Sequence, residues 1–147
     1  MSRVQLALNV VDLDAAVSFY SKLFATEPAK VRPGYANFAI SEPPLKLVLI
    51  EGNKGGTLNH LGVEVESTDE VASAQGRLAT AGLATATEDE VACCYALQDK
   101  VWVDDPDGTP WEVYTVLADV EMPDGQLRDV SPTDALCCGT EAPCCPQ

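Results

Sequence analysis

Six cysteines stand as three adjacent pairs: Cys93-Cys94, Cys137-Cys138 and Cys144-Cys145. Consecutive Cα atoms lie about 3.8 Å apart, whereas a disulfide needs about 4.4–6.8 Å. A bond within one pair is therefore strained. Two neighbouring thiols that cannot readily oxidise onto each other suit a soft, thiophilic ion, such as trivalent arsenic, cadmium, zinc or copper(I). On a strand, neighbouring side chains face opposite sides, but in a loop both can turn toward one ion. Cys93-Cys94 follows an acidic run, Glu88-Asp89-Glu90, and Lys100 is nearby in sequence. The lysine favours thiolate and the acidic run opposes it.

The chain has one histidine, His60. It lies in Leu58 to Val65, where Leu61, Val63 and Val65 alternate with His60, Gly62 and Glu64, the pattern of a half-buried strand. Residues 3–10 alternate in the same way, with Gln5, Ala7 and Asn9 opposite Val4, Leu6, Leu8 and Val10. Trp111 to Val116 is a further strand and carries Glu112 and Tyr114 on one side. An amide, an imidazole and a carboxylate from three strands can converge on one point. Gln5, His60 and Glu112 would suit Fe(II), Mn(II), Ni(II) or Zn(II) and leave coordination positions open.

The elements that must position these residues occur twice. In the first half, Asp12 is a plausible N-cap for a helix striped by Leu13, Ala16, Val17, Tyr20, Leu23 and Phe24. Pro28 marks its end, and strands follow at Tyr35 to Ile40 and Leu45 to Ile50. After the connector Lys54-Gly55-Gly56 the pattern restarts. Ser67 with Glu70 gives a capping-box signature, Val71, Ala74, Leu78 and Ala81 give a second stripe, and Gly82 takes the C′ position. A short strand or irregular segment reaches Cys93-Cys94. Lys100 to Asp104 and Trp111 to Val116 then flank the turn Asp105-Pro106-Asp107-Gly108. The fold class is α+β: two βαβββ modules, about 1–52 and 57–118, offset by about 55 residues. Two curved sheets side by side would enclose a cleft lined by the inner strand faces.

Residues 119–147 are rich in Asp, Pro, Gly and Ser and carry Cys137, Cys138, Cys144 and Cys145; they read as a flexible acidic tail. The whole chain has 147 residues, 46% of them apolar, and a net charge of −14. This size fits one domain or two small modules sharing a core. The strong negative charge argues against nucleic acid and anionic membrane surfaces as partners. Mean hydropathy is zero and no long apolar run is present, so a transmembrane helix is not expected. No basic leader with a long apolar stretch precedes the first strand, which makes the cytoplasm the expected location.

The doubled plan resembles the vicinal oxygen chelate superfamily, which includes glyoxalase I and the extradiol dioxygenases. The stretches VQLALNVVDLDAAVSFYSKLF, KVRPGYANFAISEPPLKLVLIE, GGTLNHLGVEV, ACCYALQDKVWVDDPDG and WEVYTVLAD narrow the match. Over about residues 1–118 they resemble the carbon–arsenic lyases called ArsI and the cadmium-induced proteins called CadI. The resemblance implies an Fe(II)- and dioxygen-dependent enzyme that cleaves the carbon–arsenic bond of trivalent organoarsenicals such as methylarsonous acid, giving arsenite and formaldehyde. It places the metal ligands at Gln5, His60 and Glu112, and the arsenic-capturing pair at Cys93 and Cys94 on a mobile loop. Lys100 joins the substrate site. Tyr35, Phe38, Tyr95 and Tyr114 would shape the pocket, with Tyr114 the first choice as a hydrogen-bond donor near the metal. Extradiol dioxygenases usually use two histidines and a glutamate. The amide of Gln5 is a weaker ligand, so modest metal retention is expected.

Two other functions compete. One is a non-catalytic cadmium- or arsenic-binding detoxification protein, favoured by the six thiols. The other is a glyoxalase-like isomerase or ring-cleaving dioxygenase, disfavoured by the missing second histidine and the presence of Cys93-Cys94. The modules of this superfamily pair within one chain or across two, so monomer and homodimer are both open.

Overall fold

A computed structural model describes residues 1–121. Cys137, Cys138, Cys144 and Cys145 lie outside the described residues. The first module runs β1 (Arg3–Val10), α1 (Leu13–Phe24), β2 (Lys30–Arg32), β3 (Tyr35–Ile40) and β4 (Leu45–Glu51). The second runs β5 (Thr57–Glu64), α2 (Thr68–Thr80), β6 (Ala86–Cys93), β7 (Ala96–Asp104) and β8 (Pro110–Asp119). This is the doubled βαβββ plan, and the modules pair within one chain. Instead of two separate sheets there is one curled eight-stranded sheet, ordered β2-β3-β4-β1-β5-β8-β7-β6. Antiparallel pairing of β1 with β5 joins the halves. Each of these strands also pairs in parallel with the last strand of its own module.

The local chemistry accounts for the helices. Asp12 Oδ1 accepts from Ala15 N at 2.9 Å and caps α1, which ends on Ala25 in the left-handed region. Ser67 Oγ accepts from Glu70 N at 3.3 Å and caps α2. Glu70 Oε2 reaches back to Glu66 N, one residue before the cap, so the capping box closes one position early. Gly82, with φ +81°, follows α2 as expected. No helix among the described residues is long and apolar enough to cross a membrane.

Both helices cover the same face of the sheet. Leu13 of α1 joins Ala36, Phe38, Ile40, Leu47 and Leu49 in one core, with Leu6, Leu8 and Val10 packed against it. Full burial of side chains such as Phe38 and Leu47 contributes about 1.5–3 kcal/mol each. The period of two then sends Gln5 and Ala7, Tyr35 and Asn37, and Val48 and Ile50 to the opposite face. That inner face holds the cleft.

Candidate functional site

Register decides which side chains meet. Gln5 of β1 is paired with Gly62 of β5, and Gly62 with Glu112 of β8. Two ligand candidates thus flank a glycine in one row across the sheet. A Cβ on Gly62 would lie 3.0 Å from Glu112 Cγ and 3.3 Å from Gln5 Nε2, so glycine is what lets the two side chains meet. His60 enters from the next row, opposite Ala7, at a β-bulge that shifts the β1–β5 register. The bulge turns both Asn59 and His60 into the cleft, against the strict alternation of the strand.

Gln5 Nε2 lies 3.0 Å from His60 Nε2 and donates to Glu112 Oε1 at 2.7 Å; His60 Nε2 is 3.3 Å from Glu112 Oε1. His60 Nδ1 donates to Asn59 Oδ1 at 2.7 Å, and Asn59 Nδ2 donates to Asn9 Oδ1 at 2.9 Å. This chain of donors turns the unprotonated Nε2 of the ring toward Gln5 and Glu112, the tautomer a metal needs. Glu112 is 3% exposed and Lys100 is 2% exposed, and Lys100 Nζ donates to Glu112 Oε2 at 2.8 Å. Burial alone would raise the Glu112 carboxyl, but the Lys100 ammonium beside it outweighs burial and holds it far below the usual carboxylate range. Burial would likewise lower Lys100, yet Glu112 and the two thiols keep it well above its ordinary value.

Cys93 closes β6, and Cys94-Tyr95 is the two-residue turn into β7. Their φ angles of 54° and 61° are those of a type I′ hairpin turn, a conformation that disfavours non-glycine residues. The pair therefore sits on a tight turn rather than a longer loop. Its sulfurs lie 3.3 Å apart, well beyond a bonded distance of about 2.05 Å. Both thiols open onto the cleft that holds Gln5, His60 and Glu112. The hydrogen bond with Cys93 and then burial push the Cys94 thiol well above its ordinary value. Lys100 pulls in the other direction without winning against the Cys93 neighbour and burial, and Glu112 adds a little to the rise.

Tyr35 lines the cleft, and Tyr95 is buried against it with ring centroids 5.5 Å apart. Phe38 does not fit the expected role. It lies three residues beyond Tyr35, on the opposite sheet face, and is buried beneath α1. The Tyr114 hydroxyl is turned to Gln5 Oε1 and Glu64 Oε2 rather than into the cleft. Lys46, Asn59, Gln98 and Trp102 also line the cleft and were not expected from pattern. Gln98 Oε1 and Trp102 Nε1 are buried there without a protein partner, groups that a bound molecule would satisfy.

The description "Glyoxalase/Bleomycin resistance protein/Dioxygenase superfamily" belongs to a family model that matches residues 3–113. The chain belongs to that superfamily. Within it, the chain is 65% identical over 123 residues to the trivalent organoarsenical cleaving enzyme of Thermomonospora curvata, covering 82% of each. It is 59% identical over 142 residues to the cadmium-induced protein CadI of Mycobacterium tuberculosis, covering 94% of this chain and 93% of that one. Homoprotocatechuate 2,3-dioxygenase from Arthrobacter globiformis shares the superfamily fold, with a TM-score of 0.58 at 23% identity over 80% of this chain and 36% of its own.

A metal in this superfamily site must be held by what is there. Among the described residues no three His, Cys, Asp or Glu side chains form a metal-ligating group. Gln5 adds an amide beside His60 and Glu112. An imidazole nitrogen, a carboxylate and an amide, meeting over a glycine that leaves them room, fit a first-row divalent cation. Gly62→Ala should weaken Zn(II) binding by about tenfold or more, since displaced ligand supports typically cost 10–100-fold. Titration calorimetry on the purified protein checks this. Unchanged affinity would mean that the cation does not sit between Gln5 and Glu112.

Proposed function

We propose that this protein is an Fe(II)- and dioxygen-dependent carbon–arsenic lyase acting on trivalent organoarsenicals. Gln5, His60 and Glu112 hold the metal, and Cys93 and Cys94 hold the arsenic. The observation that carries the reading is the opening of a vicinal thiol pair and a three-donor cluster onto one cleft. The names of the relatives from Thermomonospora curvata and Bacillus support the substrate class.

The residues suggest how capture proceeds. Methylarsonous acid carries two hydroxyls on arsenic. Each thiol replaces one of them, and its proton leaves with the hydroxyl as water. No external base is required, which suits a pair in which Cys94 stays protonated at neutral pH. Two sulfurs 3.3 Å apart can be bridged by one arsenic atom, leaving its carbon substituent to face the cleft. When bound, Fe(II) held by Gln5, His60 and Glu112 would supply open coordination positions for dioxygen. Holding the carbon and the oxidant together converts a bimolecular encounter into a positioned one. The buried pair of Lys100 and Glu112 keeps the ligand carboxylate ionised and in place. The overall reaction closes without an external reductant: methylarsonous acid plus dioxygen yields arsenous acid plus formaldehyde, atom for atom.

The alternative is sequestration of cadmium or arsenic by the thiols without turnover, favoured by the similarity to CadI. Arsenic speciation after incubating Fe(II)-loaded protein with methylarsonous acid, with and without dioxygen, separates the two. The lyase releases many equivalents of arsenite per protein, and only with dioxygen. Stoichiometric arsenic binding with no arsenite beyond the protein-free control would sink the lyase and leave sequestration.

A further inference from the structure

Proton counting around Gln5 exposes a conflict. The Tyr114 phenol has one proton but faces two acceptors, Gln5 Oε1 and, at 3.1 Å, Glu64 Oε2. Glu64 accepts from Arg3 Nε and Nη2 at 3.2 and 3.3 Å, and Lys46 Nζ lies 3.4 Å from it. Between two cations it is a carboxylate and can only accept. One proton cannot serve both neighbours. The conflict persists while the Gln5 amide turns its nitrogen toward Glu112 and His60, as it does here.

Turning the amide by half a rotation removes it. Gln5 Nε2 then donates to the phenol oxygen, and the phenol donates to Glu64. Each group on that side has one role. The rotation also brings Gln5 Oε1 up against Glu112 Oε1 and His60 Nε2, three acceptors with no proton among them. That cluster is unfavourable alone and favourable around a cation, which an amide binds through oxygen and not through nitrogen. The same site thus has two hydrogen-bond arrangements: one satisfies the cleft side without a cation but leaves an acceptor unserved behind Gln5, and the other satisfies both sides once a cation is bound.

We propose that Gln5 is a cation-gated amide switch, and that Tyr114 and Glu64 are positioning residues that stabilise its oxygen-inward state. The inference rests on the metal centre assigned above but needs neither arsenic nor turnover. It moves Tyr114 from a donor at the reacting atoms to a support behind a ligand. It also gives a role to the ion-paired cluster of Arg3, Lys46 and Glu64: Arg3 and Glu64 share the next same-facing row with Tyr114, and Lys46 is paired with Gln5 itself.

Zn(II), a diamagnetic cation, makes the switch observable by nuclear magnetic resonance. Without metal, the Gln5 side-chain amide protons should show Overhauser contacts to the His60 ring. With Zn(II), those contacts should vanish and contacts to the Tyr114 ring should replace them. Glu64→Gln frees the phenol proton for Gln5 Oε1 and should weaken Zn(II) binding about tenfold, with little change in the unfolding temperature of the metal-free protein. In Gln5→Glu, whose two oxygens are equivalent, adding Glu64→Gln should change Zn(II) affinity less than about twofold. A purely structural role for Glu64 would shift both backgrounds equally and overturn the proposal. Zn(II)-induced shifts at His60 without an exchange of amide contacts would overturn the switch alone. No Zn(II) effect at His60 would overturn the metal centre and the switch with it.

Discussion

Serine in place of either Cys93 or Cys94 is expected to lower the kcat/KM for arsenite release from methylarsonous acid by about a hundredfold or more. Trivalent arsenic is soft and bonds sulfur far better than oxygen. One remaining thiol leaves the arsenic free to swing about a single bond, so the carbon is no longer held in place. Because the two thiols act as one clamp, the double variant should be little worse than either single one. The sulfurs line a preformed cleft and serine nearly matches cysteine in shape, so the variants should fold, and Zn(II) affinity at Gln5, His60 and Glu112 should stay within about twofold. The rates are best compared with Cys137, Cys138, Cys144 and Cys145 all replaced by serine, so that arsenic held elsewhere is not counted. Full activity in the Cys93→Ser, Cys94→Ser variant would end the clamp model. Loss of metal affinity together with activity would show that the thiols serve the metal instead.

Much of this arrangement was legible in the sequence, for a definite reason. A half-buried strand writes its facing into its alternation, so Gln5, His60, Glu64, Glu112 and Tyr114 could be assigned to one surface before any pairing was known. What alternation cannot record is its own interruption. The bulge at Asn59 puts two consecutive side chains on one face and hides the partner that orients His60. A second irregularity, between Leu97 and Gln98, obscures the start of β7, and with it Gln98 in the cleft. The three-residue edge strand β2, Lys30–Arg32, is too short to show a period at all. Placing Phe38 with Tyr35 in the pocket overlooked the period itself, since residues three apart on a strand face opposite ways. The joining of the halves through β1 and β5, and the meeting of Lys46 with Glu64, are contacts between distant residues that no local pattern encodes.

The buried pair of Lys100 and Glu112 offers the largest stability effect. Glu112→Gln keeps the shape of the side chain but leaves the Lys100 ammonium, 2% exposed, without its carboxylate. Stranding one partner of such a pair costs about 3–5 kcal/mol. For a fold of this size that lowers the unfolding temperature by roughly 10–20 °C. Adding Lys100→Met removes the stranded charge and should restore most of the loss, because an apolar side chain of similar volume fills the space without a solvation penalty. Neither variant should bind Zn(II) well. The pH profile of the metal-free protein follows from the same pair. Glu112 is held below its ordinary value, so its contribution is present above about pH 4.3 and fades as the pH falls below it. Lys100 is held above its ordinary value, so its contribution is present below about pH 10.4 and fades as the pH rises. The double variant should lose both edges of that profile while keeping the fold. Calorimetric unfolding across pH tests this directly. If Glu112→Gln alone melts like the unsubstituted protein, the ammonium has found another partner in the cleft, and the pair is not what holds the Glu112 carboxylate in place.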